Sequence, residues 1–174
     1  MNINISDYIH TVPDFPKEGI MFKDISPLLG DPAAFKEVVS QFESEWKNKV
    51  DAIVALDARG FLFGAPLAQS LHLPLVMLRK KGKLPGNTHS ISYDLEYGQS
   101  ILEIPEDALA KNSRVLIVDD LLATGGTACA ASSLVQQTGS EVVGYAFVIE
   151  LNDLGGRKLL NGSKIQSLVS YEEE

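Results

Sequence analysis

The chain of 174 residues holds a single cysteine, Cys129, so no disulfide can close within it and a scaffold stapled by bridges is excluded. Its three histidines, His10, His72 and His89, stand far apart with no metal-ligand spacing. No apolar run approaches the roughly 18 residues that cross a bilayer, and the opening residues are polar, which leads us to expect no membrane partner and a cytoplasmic protein. Cations are scarce: 15 Lys and Arg face 23 Asp and Glu, a formal charge of −8. A nucleic-acid surface needs a concentrated basic face, so no nucleic-acid partner is expected. Internal repeats and linker-like stretches are also missing, and one domain over residues 1–174 is the simplest expectation. A chain of this length buries a core without staples.

Against that background one string stands out. Residues 114–127 read Arg-Val-Leu-Ile-Val-Asp-Asp-Leu-Leu-Ala-Thr-Gly-Gly-Thr. Val115 to Val118 is a short, mainly β-branched apolar run, which predicts a strand buried on both faces of a parallel sheet. Asp119 and Asp120 are placed where that strand is expected to end, and in open α/β sheets ligands bind beyond the carboxyl ends of strands. Ala123, Thr124, Gly125, Gly126 and Thr127 are small, hydroxylated or free of a Cβ, so their backbone can turn its amides inward and open into a helix N-terminus, a concavity suited to a phosphate. The two acids repel a phosphate and suit vicinal hydroxyls instead. Together the groups describe a site for a ribose 5-phosphate. No Gly-Lys-Ser/Thr follows the glycines, so this is not a P-loop, and the spaced glycines of a dinucleotide fingerprint are missing.

Elsewhere the pattern alternates strands with helices. Strands are predicted at 51–56, 73–78, 100–104, 141–151 and, at a sheet edge, 165–169. Asp31-Pro32 opens a helix whose Phe35, Val38, Val39, Phe42 and Trp46 form a core stripe; residues 61–71, with Pro66 expected to delay or kink the start, and 127–138 supply two more. The alternation predicts an α/β fold, with a central mostly parallel twisted sheet flanked by helices. Asp57-Ala58-Arg59-Gly60 follows the strand at 51–56 and fits an anion approached by backbone and guanidinium. Arg79-Lys80-Lys81-Gly82-Lys83 reads by itself either as a solvated basic patch or as a set of cations for a second anion. Residues 85–97 are polar and rich in turn signals, a hairpin or long loop. Residues 19–27, ahead of the first helix, read as an extended surface arm.

The string at 114–127 resembles the phosphoribosyl pyrophosphate (PRPP) binding motif of type I phosphoribosyltransferases. The flanking strings Phe22-Lys23-Asp24-Ile25-Ser26-Pro27 and Leu95-Glu96-Tyr97-Gly98 resemble the adenine-specific branch of that family, and the likeness spans residues 13–160. The resemblance implies the type I phosphoribosyltransferase fold, with a small N-terminal hood arm at 1–30 and a flexible catalytic loop at 80–100. It implies PRPP binding by Asp119, Asp120, Ala123, Thr124, Gly125, Gly126 and Thr127, with the pyrophosphate end on Ala58, Arg59, Arg79, Lys80 and Lys83. A non-proline cis peptide is implied at Asp57-Ala58. Adenine is implied against Met21, Phe22, Lys23 and Leu121; family members often carry Arg in place of Lys23. Catalysis falls to Arg59, Asp119 and Asp120, with Glu96 accepting a proton or orienting the purine and Tyr97 closing a lid. Mg²⁺ is implied as cofactor, held mainly through the PRPP diphosphate with no direct protein ligand, and a homodimer as the assembly. The implied activity is purine salvage: the phosphoribosyl group passes to N9 of adenine, giving AMP and pyrophosphate. A PRPP-binding regulatory protein of the same fold, or a transferase for another base such as xanthine, stay open as alternatives.

Overall fold

The computed structural model describes residues 2–95, 98–160 and 162–172. The chain forms two compact units, Met1–Gln41 and Phe42–Glu174.

In the first unit a turn of 3-10 helix at Ile5–Tyr8 precedes β1 (His10–Val12), which pairs antiparallel with β2 (Phe22–Asp24), His10 opposite Asp24. The two prolines between the strands deny a helix, and the loop is closed locally: the Gly19 N–H donates to Asp14 Oδ1 at 2.7 Å and the rings of Phe15 and Phe22 meet edge-on at 5.0 Å. The stretch expected as a plain extended arm therefore carries a strand, and after it a five-residue helix α1 (Ser26–Gly30). Asp24 Oδ1 accepts the Ser26 N–H at 2.9 Å, and Pro27 sits in the first turn. Asp31 caps α2 (Pro32–Trp46), whose residues 42–46 belong to the second unit, as its position predicts: its Oδ1 accepts from the N–H groups of Ala33 and Ala34 at 3.0 and 2.9 Å. Along α2 the buried line is Ala34, Val38, Phe42 and Trp46; Phe35 and Val39 of the expected stripe are half-buried.

Among the described residues the second unit is built on a sheet of β3 (Ala52–Leu56), β4 (Leu75–Lys80), β5 (Thr88–Leu95), β6 (Gly98–Pro105), β7 (Arg114–Leu122), β8 (Glu141–Leu151) and β9 (Lys164–Tyr171), in the order β5-β6-β4-β3-β7-β8-β9. β4, β3, β7, β8 and β9 run parallel, while β5 and β6 form an antiparallel hairpin whose second arm lies antiparallel on β4. Helices α3 (Gly60–Leu71) and α4 (Gly126–Gln137) make the crossovers, and the four-residue α5 (Gly156–Leu159) precedes β9. All of β3, and β7 from Val115 to Val118, is buried, the signature of strands covered on both faces. Trp46 lies against Gly144, where any Cβ would collide with the indole, and donates from Nε1 to Gln166 Oε1 at 2.8 Å.

Three boundaries differ from the pattern. β7 does not stop at Val118: its ladder with β8 continues through Asp119, opposite Phe147, to Leu122, opposite Glu150, so both acids lie on the strand and not beyond it. β4 likewise runs on through Arg79 and Lys80. Pro66 delays nothing, because α3 starts at Gly60 and takes the proline in its interior.

Candidate active site

The parallel register sets Ala55 beside Val118, so the chain leaves β3 and β7 at the same edge of the sheet. After β3 comes the loop from Asp57 to Gly60, in which the Asp57-Ala58 peptide is cis, as the resemblance implies. Gly60 then opens α3 hard against β7: a Cβ on it would stand 2.8 Å from the Val118 carbonyl oxygen and 3.0 Å from Asp119 Oδ1. Glycine is required here because two pieces of backbone touch.

After β7 the chain turns through Ala123 and Thr124 into Gly125, at φ +86°, and Gly126 begins α4. These residues line a cavity of about 240 Å³ together with Arg59, Asp119, Asp120, Leu121 and Phe147. The first amides of α4 have no partner inside the helix and carry its positive dipole end, which favours an anion. A Cβ on Gly126 would meet nothing closer than Thr124 Oγ1 at 3.8 Å, so the space over that glycine is open.

On β7 the acids alternate, as neighbours on a strand must. Asp119 Oδ1 accepts the Asp120 N–H at 2.8 Å. Burial pushes the Asp119 carboxyl well above the usual carboxylate range, the charge of Asp120 adds to the shift, and Arg59 opposes it. Asp120 is 6 % exposed, and its Oδ2 is buried without a hydrogen bond. Arg59 Nε lies 2.7 Å from that oxygen, an ion pair. A buried carboxylate oxygen in this state is an acceptor for a ligand hydroxyl.

The cations at 79–83 stand apart from this cavity. Arg79 Nε and Lys83 Nζ both reach Asp57 Oδ2, at 3.3 and 3.1 Å, while Lys80 is exposed. Burial opposes ionisation of Asp57, but Lys83 and then Arg79 outweigh it and hold its pKa below the ordinary value. The turn itself is held by Glu103, 8 % exposed, whose Oε2 accepts the Gly82 N–H at 3.1 Å.

In sum, Arg59, Asp119, Asp120, Leu121, Ala123, Thr124, Gly125, Gly126 and Thr127 converge on one cavity, whereas Ala58, Arg79, Lys80 and Lys83 are not among its walls. Met21, Phe22 and Lys23 belong to the first unit, where Lys23 Nζ donates to Thr11 Oγ1 at 2.8 Å and a separate cavity of about 270 Å³ is lined by Val12, Phe15, Phe22 and Asp24. Glu96 and Tyr97 lie outside the described residues. Sequence reasoning gave no site role to Phe147 or Glu103, and read Gly155-Gly156-Arg157 only as part of a short helical or turn segment. Among the described residues no group of three or more His, Cys, Asp and Glu could hold a metal ion, and no helix is long and apolar enough to cross a membrane.

Residues 31–168 match the phosphoribosyl transferase domain model. The chain is 52 % identical over 167 residues to an adenine phosphoribosyltransferase of Desulfosudis oleivorans, covering 95 % of this chain and 96 % of that one. Among solved structures, adenine phosphoribosyltransferase from Thermoanaerobacter pseudethanolicus superposes with a TM-score of 0.93 at 49 % identity, covering 96 % of this chain and 98 % of that one. The Saccharomyces cerevisiae enzyme, complexed with an imino-altritol bisphosphate and adenine, gives 0.89 at 41 % identity, with 94 % and 96 % covered.

Proposed function

The chain belongs to the adenine phosphoribosyltransferases of the phosphoribosyl transferase family, and we propose that it transfers the phosphoribosyl group of PRPP to N9 of adenine, giving AMP and pyrophosphate. The observation that carries the reading is the Asp120 carboxyl, ion-paired with Arg59 at 2.7 Å, lining one cavity with the small-residue turn at Thr124 to Thr127. Hydroxyl acceptor and phosphate cradle stand together, which is what a ribose 5-phosphate demands.

In the reaction N9 bonds to the anomeric carbon as the bond from that carbon to the diphosphate oxygen breaks, the proton that adenine gives up passes to Glu96 or to the departing diphosphate, and positive charge builds on the sugar at the transition state. Asp120 and Asp119 take the ribose hydroxyls and place their carboxyls beside that charge; the turn at Thr124 to Thr127 holds the 5-phosphate still. Ala58, Arg59 and the cations Arg79, Lys80 and Lys83 are proposed to serve the departing diphosphate. Arg79 and Lys83 can exchange Asp57 for it, since both are already neighbours of an anion. Mg²⁺ is proposed as the cofactor, held mainly through the PRPP diphosphate; when bound it would supply positive charge to neutralise the leaving group. Water has to be shut out during the transfer, the role we give to the segment bearing Glu96 and Tyr97.

Adenine recognition is proposed for Met21, Phe22, Lys23 and Leu121, the residues that the resemblance implies. A backbone acceptor for the 6-amino group would reject hypoxanthine, since sites built on such hydrogen bonds discriminate by ~10⁴-fold or more. We propose a cytoplasmic homodimer; the exposed apolar side chains Leu62, Leu75 and Met77 on α3 and β4 supply a surface for it. The test is to incubate the protein with PRPP and Mg²⁺ and each of adenine, hypoxanthine, xanthine and uracil in turn. AMP from adenine alone is expected, and a different nucleotide, or none, would overturn the assignment.

A further inference from the structure

The floor of the phosphate turn is not part of the motif. Gly156, the first residue of α5, lies backbone to backbone against it: a Cβ on Gly156 would collide with the Ala123 carbonyl oxygen and stand 3.0 Å from the Gly125 nitrogen, and one on Gly125 would stand 2.8 Å from the Gly156 carbonyl oxygen. Neither residue leaves room for a side chain, so the path of the turn, including Gly125 at φ +86°, is set by where α5 sits. Yet α5 has only four residues, far too few to hold itself as a helix. Something outside it must fix its place.

That anchor is Arg157. Its Nε and one terminal nitrogen donate to the two oxygens of Glu150, at 2.9 and 2.6 Å, the forked geometry that suits guanidinium and carboxylate. The same guanidinium donates to Ser167 Oγ at 3.2 Å and to the Ile165 carbonyl at 3.4 Å, and Ser167 Oγ donates to Glu150 in turn. Glu150 is 4 % exposed and sits on β8 directly opposite Leu122, the residue where β7 gives way to the turn. The network thus joins α5 to β8 and β9 at the root of the phosphate cradle, though neither Glu150 nor Arg157 lines the cavity.

We infer that Arg157, clamped by Glu150 and Ser167, is a positioning residue for 5-phosphate binding: through Gly156 it holds the amides of the turn in the shape that receives the phosphate. The inference rests on the functional reading of that turn given above. Loss of the clamp is expected to act on ligands with a 5-phosphate and to spare the base.

The experiment compares the full-length wild type with Arg157→Met, Arg157→Lys and Gly156→Ala. Titration calorimetry measures ribose 5-phosphate affinity, steady-state kinetics measure KM for PRPP, KM for adenine and kcat, and thermal unfolding reports stability. For Arg157→Met we expect ribose 5-phosphate affinity and KM for PRPP to worsen by about tenfold, with kcat and KM for adenine within about twofold, the pattern of lost substrate binding. Arg157→Lys restores one arm of the fork and should recover part of the loss. Gly156→Ala displaces the turn directly and should reproduce the phosphate-selective defect, which keeps the question answerable if Arg157→Met fails to fold. A lower melting temperature with unchanged ribose 5-phosphate affinity and PRPP KM in the folded variants would make the network a structural anchor only and overturn the inference. A wild type that binds neither ribose 5-phosphate nor PRPP would reject the functional reading itself, and this inference with it.

Discussion

Arg59 Nε stands 2.7 Å from Asp120 Oδ2, and this pair joins the loop after β3 to the end of β7. The oxygen is buried and ion-paired with Arg59, so a ribose hydroxyl that donates to it gains a charge-assisted bond. Asp120→Asn keeps the shape and removes the charge. Hydrogen bonds to charged groups contribute about 1.5–3 kcal/mol, so KM for PRPP should rise by roughly ten- to hundredfold while KM for adenine changes little. An unchanged PRPP KM would mean that the acid meets no ribose hydroxyl.

Two glycines should separate binding from folding. Gly126 faces open space, so Gly126→Val should leave the melting temperature nearly unchanged and abolish PRPP binding by filling the cradle. Gly144 faces the Trp46 indole, so Gly144→Ala should destabilise by about 1–3 kcal/mol, the usual cost of overpacking, with KM for PRPP unaltered in the folded fraction. Calorimetric binding and thermal unfolding on both variants check the contrast.

The raised pKa of Asp119 predicts a pH dependence of the unliganded protein. Between the ordinary value of 3.8 and the raised one, the folded chain keeps a proton that the unfolded chain has lost. Stability from this group is therefore complete below 3.8 and declines as pH rises through that window. Asp119→Asn removes the penalty: as pH rises above 3.8 towards neutrality, the melting temperature of wild type should fall relative to that of the variant. A wild type that does not fall relative to the variant over that range would contradict the assigned direction.

Asp57 occupies two cations that the diphosphate is proposed to use. Asp57→Asn removes the competing anion, and pyrophosphate with Mg²⁺ should bind several-fold, about three to ten times, more tightly, with a steeper salt dependence. Weaker binding would show instead that the carboxylate's task is to hold Arg79 and Lys83 in place.

How far the sequence carried this reading differs by residue. The β-branched runs at 52–56 and 115–118, the Asp31 cap and the small-residue turn at 123–127 each declare themselves locally, because propensity and chemistry act over a few neighbours. The resemblance added the cis bond at Asp57-Ala58. The end of β7 was misplaced because periodicity cannot tell that β8 continues alongside it to Glu150. β2 and α1 were hidden since each has only one turn or three residues of pattern, and β2 exists through its pairing with β1. Gly156 beneath Gly125, and Asp57 between Arg79 and Lys83, are contacts between distant segments that no local pattern encodes.

The most direct measurement is a crystal structure of the protein soaked with AMP. The ribose hydroxyls should lie on Asp120, with Asp119 beside them, and the 5′-phosphate should sit among the amides from Thr124 to Thr127. A nucleotide bound away from Asp120, or one whose phosphate lies on Arg79, Lys80 and Lys83 with the turn left empty, would contradict the assignment of the cavity.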